Sequence, residues 1–383
     1  MLNNYRFDYI IIGNGLAGFQ LALKMASNNF FSNKQIALID PSNKNFNDKT
    51  WSFWETEISQ WNAISYKSWN KALVITSKKI HLNLLPYTYK SIRAIDFYNY
   101  AKNKLKGNKN IHFIKDVVLS TLETNEEVTI KTKNHTYKAL HVFDSRVPED
   151  FLKNSKSYIS LIQHFKGYII KTNKHVFDES KVTMMDYRLK DGNKTTFTYV
   201  LPFSKTEALV EFTYFTEETV EEETYNKYLN AYIKDFLKIE DYSIIETENG
   251  KIPMSNFPFE KYNTKNITKI GTAGGWVKSS TGYSFKHTEK KVNKIINNIK
   301  LQKTPSNELF IKKYRFYDTI FLQVLRDENH KGEWIFERFY SKNSIQTMFK
   351  FLDEESSFIE ELKIMRSLFS WSFIKAFIKT LKR

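Results

Sequence analysis

The apolar run at residues 7–12 ends directly in Gly13-Asn14-Gly15-Leu16-Ala17-Gly18, and this junction restricts the fold more than any other stretch of the chain. A strand that meets G-x-G-x-x-G turns sharply at the first glycine, brings bare backbone up to a ligand at the second, and packs a helix closely against itself at the third. Helical spacing follows at Phe19, Leu21, Ala22 and Met25, and a second strand, IALID, closes at Asp40, 22 residues beyond Gly18. The pattern predicts a βαβ unit of the Rossmann type. Its helix N-terminus attracts a pyrophosphate, and Asp40 is placed to accept from a ribose hydroxyl. Gly13, Gly15, Leu16, Ala17, Gly18 and Asp40 are therefore the expected cofactor-binding residues at this end.

Beyond Asp40 the periodicity changes several times. Residues 48–90 break into short Trp- and Tyr-rich runs, read as an excursion from the first sheet. Helical spacing returns at Phe97, Tyr100, Ala101 and Leu105; three strand-like runs follow, the last ending in Asp144-Ser145-Arg146, where the chain rejoins that sheet. Alternation dominates HFKGYIIKT, KTTFTYVLPFS and EALVEFTYF, interrupted by a polar helix at about residues 218–237. ITKIGTAGG then supplies another strand entering a glycine turn, with a helix at about 286–299, and the chain from about 312 is helical by spacing. The expected class is α/β. A Rossmann-type dinucleotide domain (1–47, 91–150 and 264–300) is interleaved with an antiparallel β-sheet substrate domain (48–90 and 151–263), and a helical C-terminal region (301–383) follows. A length of 383 residues suits two or three such units.

Composition removes several function classes. The chain has no cysteine, so disulfides, thiolate nucleophiles and Cys-ligated metals are excluded, and no metal site is expected. Aromatic residues make up 16% of the chain, which suits an apolar ligand. Lys and Arg number 58 against 42 Asp and Glu, a net charge of +16, which attracts nucleic-acid phosphates and anionic lipid alike or reflects a Lys- and Asn-heavy composition alone. The apolar run near the start is too short for a signal peptide, so a cytoplasmic location is expected. No stretch approaches the ~18 apolar residues of a spanning helix. A membrane contact, if made, is peripheral. Residues 358–383 favour one, with Phe369, Phe373, Ile374, Phe377, Ile378 and Leu381 on one helical face and Lys375, Lys379, Lys382 and Arg383 on the other, although such a stripe also packs against protein.

The second glycine turn bears on which dinucleotide is held. FAD folds of the hydroxylase type close the isoalloxazine site with a late strand-to-helix turn such as GTAGGWVKSSTGYSF, and a simple dehydrogenase has no need of one. Gly271, Gly274, Gly275 and Gly282 allow close backbone approach, with Lys278 and Arg146 as expected flavin contacts or else surface salt bridges. Thr272 stands where an acidic residue is usual, so no carboxylate contact to the ribityl chain is expected there. A second G-x-G-x-x-G is absent from the sequence, and no separate nicotinamide domain is expected.

Six segments in order, DKTWSFWE, FDSR, MDYR, FTYVLPFSKTEALVEFT, GKIPM and GTAGGWVKSSTGYSF, resemble the lycopene β-cyclase family of carotenoid biosynthesis, as do FYDTIFLQVL and KFLDEESSFIEELKIM near the end. The resemblance implies a hydroxylase-like FAD fold and a peripheral flavoprotein on the inner face of the plasma membrane, working beside other carotenoid enzymes and binding no nucleic acid. It implies cyclisation of the linear ends of lycopene or a related polyene to β-ionone rings, giving γ-carotene and β-carotene without net redox change, on reduced FAD supplied by NADPH or NADH.

A polyene offers no heteroatom to grip, so such chemistry begins by protonating carbon. It needs a carboxylic acid kept protonated by desolvation, π faces for the passing cation and an electron-rich neighbour. The resemblance marks Glu211, in LVEFT, as the essential carboxylate; on its own it reads as a strand glutamate paired across the sheet. Many relatives carry a second acidic residue next, where this chain has Phe212, so one acid with the flavin or with a more distant partner is expected, and Phe212 is read as lining the substrate. Asp186 and Glu55 are the other carboxylates placed near the site, against an ion pair with Arg188 and a turn or cap role. Trp51, Phe53 and Trp54 are read as tunnel lining, against core packing. The competing functions are a redox FAD enzyme of the same fold, such as an aromatic hydroxylase or isoprenoid reductase, and a protein that binds RNA or lipid surfaces through its charge.

Overall fold

The computed structural model describes residues 5–153 and 157–382. Tyr5–Ile12 sits inside a seven-stranded sheet, where Ile10 and Ile11 are both fully buried although they point to opposite faces. A parallel strand covered on both sides reads as a continuous apolar run. Ile36–Ile39 and then Ile111–Ile114 lie parallel on one side of it, and Thr136–Asp144 lies parallel on the other. The outer edge of Thr136–Asp144 is shared. Its first half pairs antiparallel with Val128–Thr132, and its end pairs parallel with Ile267–Lys269. The turns that follow Ile12 and Lys269 therefore emerge at the same carboxyl edge, on either side of Asp144, where open α/β sheets hold their ligands. Helices Leu16–Ala26, Ala94–Leu105 and Phe285–Lys300 cover one face, joining Phe19, Met25, Phe97, Ala101, Phe285 and Ile295 in one core.

The second sheet runs in the order Ser243–Ser255, Ser160–Lys171, Glu207–Thr216, Thr195–Pro202, Val182–Asp186, Lys71–Ile75, Lys79–Asn83. The expected antiparallel pattern holds except at one junction, where Val182–Asp186 and Lys71–Ile75 are parallel. The excursion supplies that last hairpin from a distant part of the chain, so no crossover is needed to bring parallel strands together. Its remaining strands, Thr50–Glu55, Lys67–Trp69 and Thr88–Arg93, form a small sheet that bridges the two large ones.

Helix Glu222–Ala231, extended by a π-type turn at Tyr232–Phe236, covers one face of the second sheet through Tyr225, Leu229 and Ile233. The other face meets the C-terminal helices, with Leu161, Leu201 and Leu209 packed among Leu322, Ile335, Met348 and Ile364. Those helices are Lys312–Asp327, Gly332–Lys342, Ile345–Leu352, Phe358–Ser367 and Trp371–Leu381. The single helix expected over 358–383 is two. Ser357 opens the first with a capping box, Ser367 turns its hydroxyl back to the Ile364 carbonyl at 2.7 Å, and Ser370 in an extended conformation starts the second. Arg383, read on the polar face of that stripe, lies outside the described residues. No helix among the described residues is long and apolar enough to cross a membrane.

Candidate active site

Strand pairing in the second sheet places four residues in one row. Glu248 and Glu211 lie on opposite sides of Gly167, and Tyr199 lies beyond Glu211. Gly167 has no side chain, so the two glutamates lean over it. A Cβ there would stand 3.3 Å from Glu211 Cβ and 3.4 Å from Glu248 Cγ. Glu211 is 7% exposed and Glu248 5%. Burial is the main cause that raises the Glu211 carboxyl well above the usual range; the neighbouring Glu248 charge adds to it, and a 2.8 Å bond from Thr213 Oγ1 opposes it. Glu248 is pushed up to about 7, again chiefly by burial, against a 2.8 Å bond from Thr50 Oγ1 and the Lys49 charge. The two carboxyls act on each other in opposite senses, Glu248 raising Glu211 and Glu211 lowering Glu248, which makes Glu211 the acid of the pair.

Glu211 opens on a cavity of about 320 Å³ between the two sheets. Trp51, Phe197 and Phe215 line it together with the buried Tyr89 and Tyr340 and the half-buried Tyr199 and Tyr283, of which Tyr89, Tyr199 and Tyr283 form a hydroxyl cluster. The Tyr89 and Tyr199 hydroxyls are 2.7 Å apart, Tyr199 donates to Ser52 Oγ at 2.9 Å, and Tyr283 comes within 3.4 Å of Tyr89. Burial raises all three far above the usual phenol range, so the wall is neutral and rich in π faces. Thr281, Phe336, Phe339 and Leu352 form a wall shared with a second space of about 310 Å³, lined almost entirely by apolar side chains of the C-terminal helices, among them Phe321, Phe373 and Phe377. That space ends at Phe369, which is 70% exposed.

The cofactor end begins at the first glycine turn. A Cβ on Gly18 would stand 2.0 Å from the Gly13 carbonyl oxygen, so only glycine lets the helix start against the strand. Beside Gly15 no atom lies within 4 Å of where a Cβ would sit, and helix Leu16–Ala26 has no side-chain cap, which leaves its N-terminal amides free for an anion. Asp40 accepts from the Asn14 and Ser42 amides, each at 2.7 Å, and Asn14 Oδ1 is buried without a partner beside it. The second turn, Gly271–Gly274 closed by Gly275, packs against the first, with a Cβ on Gly271 falling 3.2 Å from that of Ala17. Thr272 and Val277 of this turn, with Gly282, line the Glu211 cavity, and Thr281 Oγ1 and Gln163 Oε1 there are buried without partners. An uncapped helix start, orphaned polar atoms at both ends and two glycine turns packed on each other suit a dinucleotide whose reactive ring lies beside Glu211.

Several expected site residues lie elsewhere. Phe212 points to the opposite face of its strand and stacks on Tyr228 at 4.8 Å, because adjacent strand residues alternate. Asp186 is fully buried, gripped by Arg188 at 2.6 Å and by the Tyr232 hydroxyl at 2.7 Å, away from the cavity. Glu55 is paired with Lys90 at 2.6 Å and Lys286 at 3.2 Å; this pairing, with a Ser59 bond, lowers its carboxyl against the effect of burial. Phe53 stacks on Phe285 and Trp54 on Phe349 within the core, which leaves Trp51 alone of the three on the cavity wall. Arg146 turns to Asp144 at 2.9 Å, and Lys278 is held at 3.0 Å by both Asp318 and Glu354. These cations have internal partners, so flavin contacts by them are not supported. Sequence reasoning missed Glu248 and the three tyrosines; the one signal was the isolated glycine in HFKGYIIKT, the mark of a close approach inside a strand. Among the described residues no group of three or more His, Asp or Glu could hold a metal.

The fold is shared with solved flavoproteins. A geranylgeranyl bacteriochlorophyll reductase-like protein from Thermoplasma acidophilum superposes with a TM-score of 0.62 at 13% identity, over 99% of this chain and 100% of that one. Halogenase PltM in complex with phloroglucinol and FAD gives 0.61 at 11% identity, over 97% and 90%. In sequence, the chain is 24% identical over 298 residues to a neoxanthin synthase of Solanum lycopersicum and 25% over 297 to a capsanthin/capsorubin synthase of Citrus sinensis. These alignments take in 73% and 74% of this chain, which spans 58% of the length of each of these relatives. The profile of the family described as lycopene cyclase protein matches residues 8–377, from the first strand through both glycine turns and the Glu211 row to the last helix, and the chain belongs to that family.

Proposed function

We propose that this protein is a lycopene β-cyclase that closes linear polyene ends to β-ionone rings with no net redox change, holding FAD in the crevice between its glycine turns and drawing reducing equivalents for it from NADPH or NADH. The observation that carries this is a buried carboxylic acid, Glu211, facing an aromatic cavity that shares a wall with an apolar one. Glu211 gives its proton to the inner, CH carbon of the terminal double bond, leaving a tertiary cation on the dimethyl end carbon. The electron pair of the neighbouring double bond forms the ring bond and moves the charge into the ring. A ring carbon then loses a proton to the carboxyl pair, which restores both the neutral product and the starting acid. The faces of Trp51, Tyr89, Tyr199 and Tyr283 line the path of that charge, where a desolvated cation–π contact is worth about 2 kcal/mol. Residues 13–18 and Asp40 would hold the adenosine diphosphate part of FAD and residues 271–277 its ring system, which when bound and reduced would supply an electron-rich neighbour for the cation. The apolar space and the exposed C-terminal apolar side chains support peripheral contact with a membrane that stores the substrate.

Conversion of pre-formed, unlabelled lycopene by the isolated protein in deuterated water tests the reading. Cyclic products carrying one deuterium per ring are expected, because the acid exchanges with solvent before it protonates carbon. The fold it shares with a reductase-like protein favours a second reading, a redox FAD enzyme. That reading predicts a changed number of double bonds, and a polyene product reduced or oxygenated without ring closure would replace the cyclase.

A further inference from the structure

We propose that Glu248, held against Glu211 across Gly167, is a positioning residue that keeps the transferable proton on the cavity-facing carboxyl. The inference rests on the cyclase reading for what the proton is used for, but the pair itself is a matter of geometry. Three strands set it. Ser160–Lys171 runs between Glu207–Thr216 and Ser243–Ser255, and Gly167 is the residue facing both glutamates. Any side chain at position 167 would press on both glutamates and on Leu209, whose Cδ1 lies 3.0 Å from the Cβ position.

The two carboxyls are not equivalent. Glu211 faces the cavity and has Thr213 as its other polar contact, with the Tyr199 ring beside it in the row. Glu248 is turned toward Thr50, whose hydroxyl donates to it at 2.8 Å, and Lys49 favours its charge. The other charged groups around the pair are Glu246 on the same strand, neutralised by Arg93 at 3.1 Å, and Asp48 and Lys251 on the cavity wall. One proton is thus shared by two carboxyls too close for both to ionise, and the cationic and hydroxyl partners sit on the Glu248 side. The proton stays with Glu211, the member that can reach a substrate. After the proton is given to carbon, two adjacent carboxylates repel, and that repulsion favours uptake of the proton the ring later releases.

The test is a pH titration of the full-length protein by infrared difference spectroscopy with isotope-labelled glutamate, in parallel with the pH profile of the cyclisation rate. The wild type is expected to show, above the pH at which Glu248 ionises, a protonated carboxyl band that Glu211→Gln abolishes. In Glu248→Gln the midpoint of that band and the alkaline limb of the rate profile are expected to move together to lower pH by about one unit or more. Glu248→Asp, which keeps the charge, is expected to recover part of the shift. Gly167→Ala, which spreads the pair, is expected to move the midpoint the same way. An unshifted midpoint in both Glu248→Gln and Gly167→Ala, or a rate lowered equally at every pH, would overturn the proposal. A shifted band in a protein that forms no ring leaves the pair standing and removes the cyclase reading instead.

Discussion

Changing Glu211 to Gln replaces one carboxyl oxygen with an amide nitrogen and removes the transferable proton while keeping the shape of the side chain. A positioned general acid contributes about 10² to 10⁴ in rate, so ring formation by Glu211→Gln should fall by that factor, measured by chromatography of the pigments, while its melting temperature stays at or above that of the wild type. The second glutamate makes a separate prediction about stability. The folded protein holds the Glu248 proton up to about pH 7, whereas the unfolded chain releases it near 4.5. Folding is therefore favoured below that window and loses stability as pH rises through it. Glu248→Gln removes the linkage, so its advantage over the wild type in denaturant unfolding should grow from pH 4.5 to 7. An advantage that does not change with pH would contradict the assignment. Glu211 was legible through its place in LVEFT. Glu248 was not, because its approach depends on the register of three strands, and only Gly167 gave a local sign of it.

A strand has two faces, and the one that carries Glu211 to the cavity turns Phe212 into the core under helix Glu222–Ala231, among Tyr214, Tyr225 and Tyr228. Phe212→Ala is thus expected to cost about 3–5 kcal/mol in chemical denaturation and to leave the rate per folded molecule unchanged. A changed product pattern at unchanged stability would put this residue back beside the substrate. At this scale the sequence was informative wherever a single period governed a segment. The helix expected at about 286–299 is Phe285–Lys300, and the βαβ opening lies where the glycines require it. Legibility failed where distant segments decide the outcome. The hairpin of Lys71–Ile75 and Lys79–Asn83 completes a sheet begun about a hundred residues later, and the stripe over 358–383 is cut where the Ser367 hydroxyl bonds back to the Ile364 carbonyl and Ser370 is extended. Trp51, Phe53 and Trp54 are alike in composition, and only tertiary packing separates the one on the cavity from the two in the core.

Over the whole molecule, the acid pair lies between the second glycine turn and the apolar space lined by the last two helices. Phe358, Ile359, Phe369, Trp371 and Leu381 are each more than 60% exposed around that region, a concentration of apolar surface that water does not favour. Lys375, Lys379 and Lys382 belong to the last helix and its end, and the chain as a whole carries a net charge of +16. Burying one large apolar side chain contributes about 1.5–3 kcal/mol, and each Lys near an anionic lipid surface adds about 1 kcal/mol. A few such residues suffice for reversible binding without a spanning helix. The protein should therefore sediment with vesicles containing anionic lipid, less so at high salt. The double variant Phe369→Ser, Trp371→Ser should bind them at least about 100-fold more weakly, since about 3 kcal/mol is lost. If this surface delivers substrate, that variant should convert polyene dissolved in vesicles slowly and polyene dispersed in detergent at the wild-type rate. Equal loss in both would mean that the two side chains hold the apolar space together instead. Vesicle binding unaffected by the substitutions would move the membrane contact to another face.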